Sequence, residues 1–474
     1  MKTGVSLHLF CDIIKHMRLR NKRSVDMLNG PLLSNIFIFA VPVMFSSLLQ
    51  IAFNAADTII VGKFSGQQAL AAVGATGSIV NLLVSLFNGL SVGATIVLAQ
   101  SIGSGIRDRI KVSVHTSYFL ALAGGAILTV VGFALSGVFL NAIGTPADIV
   151  DGSLLYMRIY FAGSIPLLVY NFGAAILRSK GDTFRPTVFL TISGIVNVVL
   201  NLILVIVFKL GVAGVALATV ISETISAIMV TYSLIYADDE TRLIPKEISL
   251  DTKAMLSILR IGIPAGVQGM MWAISNVAVQ RSLNSFNSSV VIAGNTAAAN
   301  IEGFVYIGMG GFSQACMTFT SQNAGAKNFQ RIRKLLLICS ALIVSVTFAI
   351  ALLINLNGNF FLSFYTNDQT VIDTGMIRLR YVVFWLFLNG LLDIPSSSMR
   401  GMGYSTMPAI LMLLGIVGVR LSWIYLYWTY HPTLEVLYFC YPLSWAVTTI
   451  LQFGLWLFAY SRFVKKCEAG ISVI

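Results

Sequence analysis

The segment AQSIGSGIRDR, Ala99–Arg109, returns as SQNAGAKNFQR, Ser321–Arg331, with its glutamine, glycine and closing arginine in the same places. The offset in numbering, from Gln100 to Gln322, holds far beyond these two stretches. It pairs Pro42 with Pro264, Arg158 with Arg380, Arg178 with Arg400, Gly181 with Gly403 and Pro186 with Pro408. Helix-breaking and charged residues held in register over such a distance imply one large unit present twice. Both copies lie among long apolar runs.

The 474 residues are 57% hydrophobic and 11% charged, too little charge to cover a soluble protein of this length. Apolar runs of about 20 residues cross a bilayer as helices. Twelve are present: Leu33–Ile60, Ala69–Val97, Val112–Leu140, Leu154–Leu177, Thr187–Phe208 and Val212–Tyr236, then Ile258–Leu283, Val290–Phe319, Leu335–Phe361, Met376–Met399, Ala409–Tyr430 and Leu434–Phe463. The longer runs suggest tilt or extension past the membrane. The one long polar connection, 237–253, separates six runs from six. The expected fold is an all-α polytopic membrane protein with twelve transmembrane helices in two six-helix lobes. An even number of spans per copy makes the lobes parallel repeats, related by a pseudo-twofold axis along the membrane normal. The expected divisions are a cytoplasmic leader 1–26, an N-lobe 27–236, a cytoplasmic linker 237–253, a C-lobe 254–463 and a cytoplasmic tail 464–474.

The net charge is +12, from 31 Lys and Arg against 19 Asp and Glu. With the N-terminus inside, all the basic residues fall in cytoplasmic segments or helix ends except Lys63, Arg158, Lys209, Arg281, Arg378, Arg380 and Arg420. This asymmetry orients both termini to the cytoplasm. The excess charge then reports topology and contact with anionic lipid rather than nucleic acid. Cys11, Cys316, Cys339, Cys440 and Cys467 are scattered, as are His8, His16, His115 and His431, with no close pair suggesting a disulfide or zinc site. No nucleophile–base arrangement stands out, which argues against an enzyme and against a bound cofactor. The leader lacks the apolar core and small-residue cleavage site of a signal peptide and is basic and weakly amphipathic.

Some repeated positions have structural explanations. Arg178–Asp182 and Arg400–Tyr404 read as equivalent turns, each with a glycine and a helix-ending arginine, and Pro186 and Pro408 open the next helices. Pro42 and Pro264 lie inside spans and imply fixed kinks, or hinges that free a carbonyl. Ionisable groups within spans are costly and mark function. These are Asp57, Glu223, Glu302, Asp393 and Arg420, with Arg281 and Arg378 expected to snorkel from outer helix ends. Asn197 and Asn201 share one helix face at a depth matching Asp57. An Asp with two amides can offer oxygens to Na⁺ or hold a protonatable carboxyl. Asn171 and Asp393 are repeat equivalents, and an Asp393–Arg420 ion pair is one expectation. Glu302 is expected either to attract a cation in a central cleft or to hydrogen-bond a neighbouring helix. Glu223 ranks lower, as an N-lobe structural group. Trp272 and Tyr306 are candidates to stack on a cation.

The segment NAADTIIVG, Asn54–Gly62, followed by ALAAVG, Ala69–Gly74, resembles the first helix and loop of the multidrug and toxic compound extrusion (MATE) transporters. Leu177–Thr183 resembles the turn after their fourth helix, Leu210–Thr219 the start of the sixth, and Met399–Gly403 the turn after the tenth. The likeness runs from about Met27 to Phe463. It implies a membrane antiporter, working as a monomer in the plasma (inner) membrane, that exports cationic amphiphiles in exchange for Na⁺ or H⁺. It also implies a cation-coupling site at Asp57, Asn197 and Asn201, with Asp57 the possible Na⁺ ligand. Many members have aspartate where Asn201 stands, so a two-acid proton mechanism does not carry over to that pair. Asn171, Glu302, Asp393 and Arg420 are expected to form a substrate or second coupling site. Where one family branch has a glutamate in the seventh helix, this chain has Trp272. The rivals are a lipid-linked precursor flippase, whose cleft would be more cationic, an intramembrane enzyme, and a non-transporting receptor or scaffold.

Overall fold

The computed structural model describes residues 24–469, without the side chains of residues 271–274, and its regular structure is helical. The first half contains α1 (Leu32–Phe64), α2 (Gly66–Ser104), α3 (Arg107–Ala142), α4 (Val150–Ala162), α5 (Ser164–Ser179), α6 (Phe184–Asn201) and α7 (Gly211–Ile235). The second contains α8 (Thr252–Asn284), α9 (Ser289–Gly325), α10 (Phe329–Leu356), the short α11 (Gly358–Ser363), α12 (Gln369–Tyr381), α13 (Leu386–Gly401), α14 (Thr406–Met412), α15 (Val419–Leu426) and α16 (Leu434–Glu468). Wide π turns, Leu202–Val207 and Leu413–Gly418, extend α6 and join α14 to α15.

Ten described helical segments are long and apolar enough to span a membrane alone. The fourth expected span is instead two helices, α4 and α5, bent by 48°. Gly163 sits at the break, where a Cβ would meet the side chain of Val220. The tenth is broken at the equivalent place, α12 and α13 being joined by the 3₁₀ turn Val383–Trp385. Counting α4 and α5 as one crossing gives eleven among the described residues, and α12 with α13, broken at the repeat-equivalent place, stands where the twelfth was expected. Hydropathy sees only the apolar run and cannot register the bend.

The two turns after α5 and α13 are the same structure. Asp182 N–H donates to Leu177 O at 3.0 Å and Tyr404 N–H to Met399 O at 2.9 Å. Gly181 and Gly403 both have φ of +93°, a left-handed helix ending that glycine adopts without Cβ strain.

The lobes exchange helix ends on the side that carries the basic turns. Ile36 and Phe39 of α1 are buried in the second-half core, where Phe39 meets Phe319 edge-on at 5.6 Å. Ile258 and Ile261 of α8, their repeat equivalents, are buried in the first-half core. Next to them α2 and α8 touch backbone to backbone. A Cβ on Gly89 would strike the main chain of Gly266 and Gly262, and one on Gly93 the main chain of Ile258. Small residues permit such crossings in membranes. The segment before α1 also bridges the lobes. Val25 N–H donates to Gly181 O, while Met27 O accepts from Asn323 and Arg331. On the far side α1 turns back to its own lobe, Phe53 lying against Gly194 of α6, and Val279 and Leu283 of α8 pack into the second-half core.

The linker lies along the first half rather than looping free. His115 accepts from Ile244 N–H at 3.1 Å, and Lys180–Asp239, Arg107–Glu240 and Lys111–Glu247 form ion pairs. Large apolar residues such as Val130, Leu337 and Ile450 face outward, as a lipid-facing surface requires.

Candidate functional site

Asp57 lies two turns before the end of α1, half-buried, opposite the last turn of α6. Asn197 and Asn201 are buried and share a face of that helix, as their spacing predicted. Asn201 Nδ2 donates to Asp57 Oδ1 at 2.5 Å and to Asn197 Oδ1 at 3.1 Å. Its own Oδ1 is buried and has no hydrogen-bond partner. Thr219 of α7 approaches the other carboxylate oxygen at 3.5 Å. Glu223, one helical turn on from Thr219, is close enough for its charge and that of Asp57 to act on each other and on Tyr156 and Tyr160. The Asp57 carboxylate thus lies beside a buried amide whose oxygen has no partner, and oxygens of both kinds are ligands that hard cations take. The sequence reading named Asp57, Asn197 and Asn201, which the structure brings together; it did not name Thr219, Tyr156 or Tyr160, and it placed Glu223 lower, as an N-lobe structural group. The i, i+4 spacing of Thr219 and Glu223 on a span was the available signal.

The second half holds a cavity of about 530 Å³. Glu302, Arg378, Asp393, Arg420, Tyr306, Tyr441, Asn276, Gln280 and Asn389 line it, with Val279 and Leu283. Arg378 does not snorkel. It is buried, donating to Glu302 Oε2 through Nε at 3.2 Å and Nη2 at 2.6 Å, and to Asn295 Oδ1 through Nη1 at 2.7 Å. The reason is that α12 lies inside the lobe, against α9 and α16, so the Arg378 side chain meets Glu302 and Asn295 instead of the outer surface. Glu302 therefore faces the cavity already engaged by a cation of the protein itself. Asp393 lies 3.5 Å from Arg400, two turns on in the same helix, which replaces the expected pairing with Arg420. Arg420 is buried, donates to Ser444 Oγ and Ser275 Oγ at 3.1 Å each, and lies 4.2 Å over the Tyr441 ring. Tyr306 lines the cavity as expected, whereas the Trp272 side chain lies outside the described residues. The cavity lining has two arginines and two carboxylates, so its formal charge is balanced.

The repeat aligns the two sites. At the same offset Asp57 corresponds to Val279, Tyr156 to Arg378, Asn171 to Asp393, Thr219 to Tyr441 and Glu223 to Trp445. The first copy places acids where the second places apolar or aromatic groups, and the second places an arginine where the first has tyrosine. Asn171 stays half-buried on α5, outside the second-half cavity. Cys316 of α9 and Cys339 of α10 are both free and buried, and Cys316 Sγ lies 3.8 Å from Ile394 O.

Comparison with known proteins agrees with this architecture. The MatE family profile matches residues 42–203 and 264–426, one match in each half. The probable multidrug resistance protein YoeA of Bacillus subtilis (strain 168) is 26% identical over 438 residues, covering 90% of this chain and 93% of that protein. The fold matches the crystal structure of a MATE protein in complex with MaL6 at a TM-score of 0.87 and 22% identity, covering 93% of this chain and 99% of that one. It also matches a MOP superfamily transporter from Pyrococcus furiosus, described as having a binding pocket of reverse polarity that suggests a different function, at 0.85 and 21%, covering 93% and 98%. With the profile matching both repeats over most of its length, this chain belongs to the MATE family of membrane transporters.

Proposed function

We propose that this protein is a multidrug efflux antiporter of the plasma membrane that exports organic cations in exchange for Na⁺ or H⁺. The lobes rock about the pseudo-twofold axis, and the basic side, where they meet, is the cytoplasmic side. The observation that carries the coupling half of this reading is the Asp57 carboxylate, held by Asn201 and Thr219 beside the unsatisfied Asn201 Oδ1. The coupling ion binds there because a partly desolvated carboxylate is relieved by a mobile cation and not by a fixed one. Glu223 supplies the second acid that Asn201 does not. The YoeA relative's description as a probable multidrug resistance protein supports the cargo class.

Purified protein in liposomes, given Na⁺ and pH gradients separately, tests the reading. Asp57→Asn should insert and fold normally yet lose gradient-driven transport of a fluorescent organic cation by at least about 100-fold, the effect of removing an essential charged group. Normal transport under both gradients would remove the N-lobe site. The balanced charge of the second-half cavity favours one other reading, a cargo that carries an anionic group as well. Competition by anionic and zwitterionic aromatic compounds decides between them. Scrambling of lipid-linked precursors without any cation transport would establish the flippase instead.

A further inference from the structure

Gln100 and Gln322 are repeat equivalents near the cytoplasmic ends of α2 and α9, and each reaches into the opposite lobe. Gln100 Nε2 donates to Gly401 O at 2.7 Å, and Gln322 Nε2 donates to Ser179 O at 2.7 Å. Gly401 and Ser179 are themselves repeat equivalents and are the last residues of α13 and α5. A carbonyl in the final turn of a helix has no intrahelical donor and carries the negative end of the helix dipole. Each glutamine thus closes an acceptor that the other lobe cannot satisfy for itself.

The backbone geometry makes this reach possible. A Cβ on Gly103 would strike the carbonyl of Gln322, and one on Gly325 would strike the carbonyl of Gln100. The two helices cross at these glycines, on the pseudo-twofold axis, with main chain against main chain. The glutamine one turn before each glycine then passes over the crossing to the partner lobe. Within one lobe such bonds would be ordinary packing. Between lobes, at a crossing on the axis, both must break together when the lobes part.

We infer that Gln100 and Gln322 are a reciprocal latch that holds the cytoplasmic gate shut in the outward-facing half of the transport cycle. This rests on the alternating-access reading above. A hydrogen bond is worth roughly fivefold in equilibrium, net of solvent. Two such bonds bias the closed state by roughly 25-fold, enough to favour it and little enough for a bound cargo to reverse.

The test is the distance between nitroxide labels at Asp108→Cys and Gln330→Cys, exposed repeat equivalents on the two lobes. The background carries Cys11→Ser and Cys467→Ser, and reconstituted protein is measured by double electron–electron resonance. Gln100→Ala and Gln322→Ala should each add a longer distance, to the same extent. The double variant should shift the open-to-closed ratio by the product of the two. Gln100→Met with Gln322→Met keeps the side-chain length but removes the donors without adding charge, and should open the gate as the alanines do even if those fold poorly. An unchanged distance in both double variants overturns the latch, as does opening in one single variant but not the other. The readout needs no cargo, so failure of wild-type drug transport would count against the proposed function alone.

Discussion

Glu302 and Arg378 show why a charge inside a lobe resists being read from the chain. Hydropathy places Arg378 near a helix end, where arginine ordinarily reaches water. Only the packing of α12 against α9 and α16 shows that Arg378 meets Glu302 instead. Asp57 and Asn201 were legible because depth and helical face follow from spacing alone. Breaking the buried pair leaves an uncompensated guanidinium. Glu302→Gln is therefore expected to destabilise the protein by about 3–5 kcal/mol, and adding Arg378→Met to recover most of it. Melting temperatures in detergent check both. A Glu302→Gln variant as stable as wild type would free Glu302 for a role in cargo binding.

Helices that touch through glycine have no slack. Gly89→Ala pushes α2 against the main chain of α8 and is expected to destabilise the closed lobe contact by about 1–3 kcal/mol. Gly74→Ala, on the same helix, meets nothing within 4 Å and is expected to be neutral or stabilising by up to about 1 kcal/mol. Thermal melting of the two variants side by side separates contact from helix propensity. The linker adds a pH dependence of its own. Partial burial works to raise the Asp239 carboxyl, but the Lys180 ammonium and hydrogen bonds from Lys180 and Thr241 outweigh it and hold the group below the usual carboxylate range. The folded value is below the unfolded one of about 3.9, so the contribution is complete at neutral pH and is lost as pH falls through the folded value. Amide protection factors across residues 237–250, exchange rates taken relative to the intrinsic rate at each pH, should be high at pH 7 and lower near pH 3. Asp239→Asn should show the lower protection at both. The number of spans was legible from apolar length, whereas the breaks at Gly163 and Val383–Trp385 were not, since they depend on which neighbours fill the bend.

The duplication set the whole plan of the molecule: two lobes, parallel, about one axis. Cysteine labelling at Lys63 and Lys327 should place them on opposite sides of the membrane, Lys63 outside. Labelling from the same side would overturn the orientation. What the repeat did not disclose is how the copies have diverged. The same offset that matches Gln100 to Gln322 also matches Asp57 to Val279 and Tyr156 to Arg378. Retained positions such as Gln100 and Gln322 hold the lobes together, and exchanged positions such as Asp57 and Arg378 fall in the two candidate sites.

Met27, Ile36 and Phe39 leave the ribosome long before Phe319, Asn323 and Arg331, the residues that cover them. Until α9 has entered the bilayer, the first turns of α1 have no cover, and the nascent first half waits in an unfinished state. Ile258 and Ile261 meet no such delay, because their partners in α2 and α5 are already in place. The chain therefore matures in a fixed order, with the beginning of the first helix among the last parts to settle. A ribosome stalled before α9 should leave a product that quality-control proteases recognise, however well its first six spans are inserted.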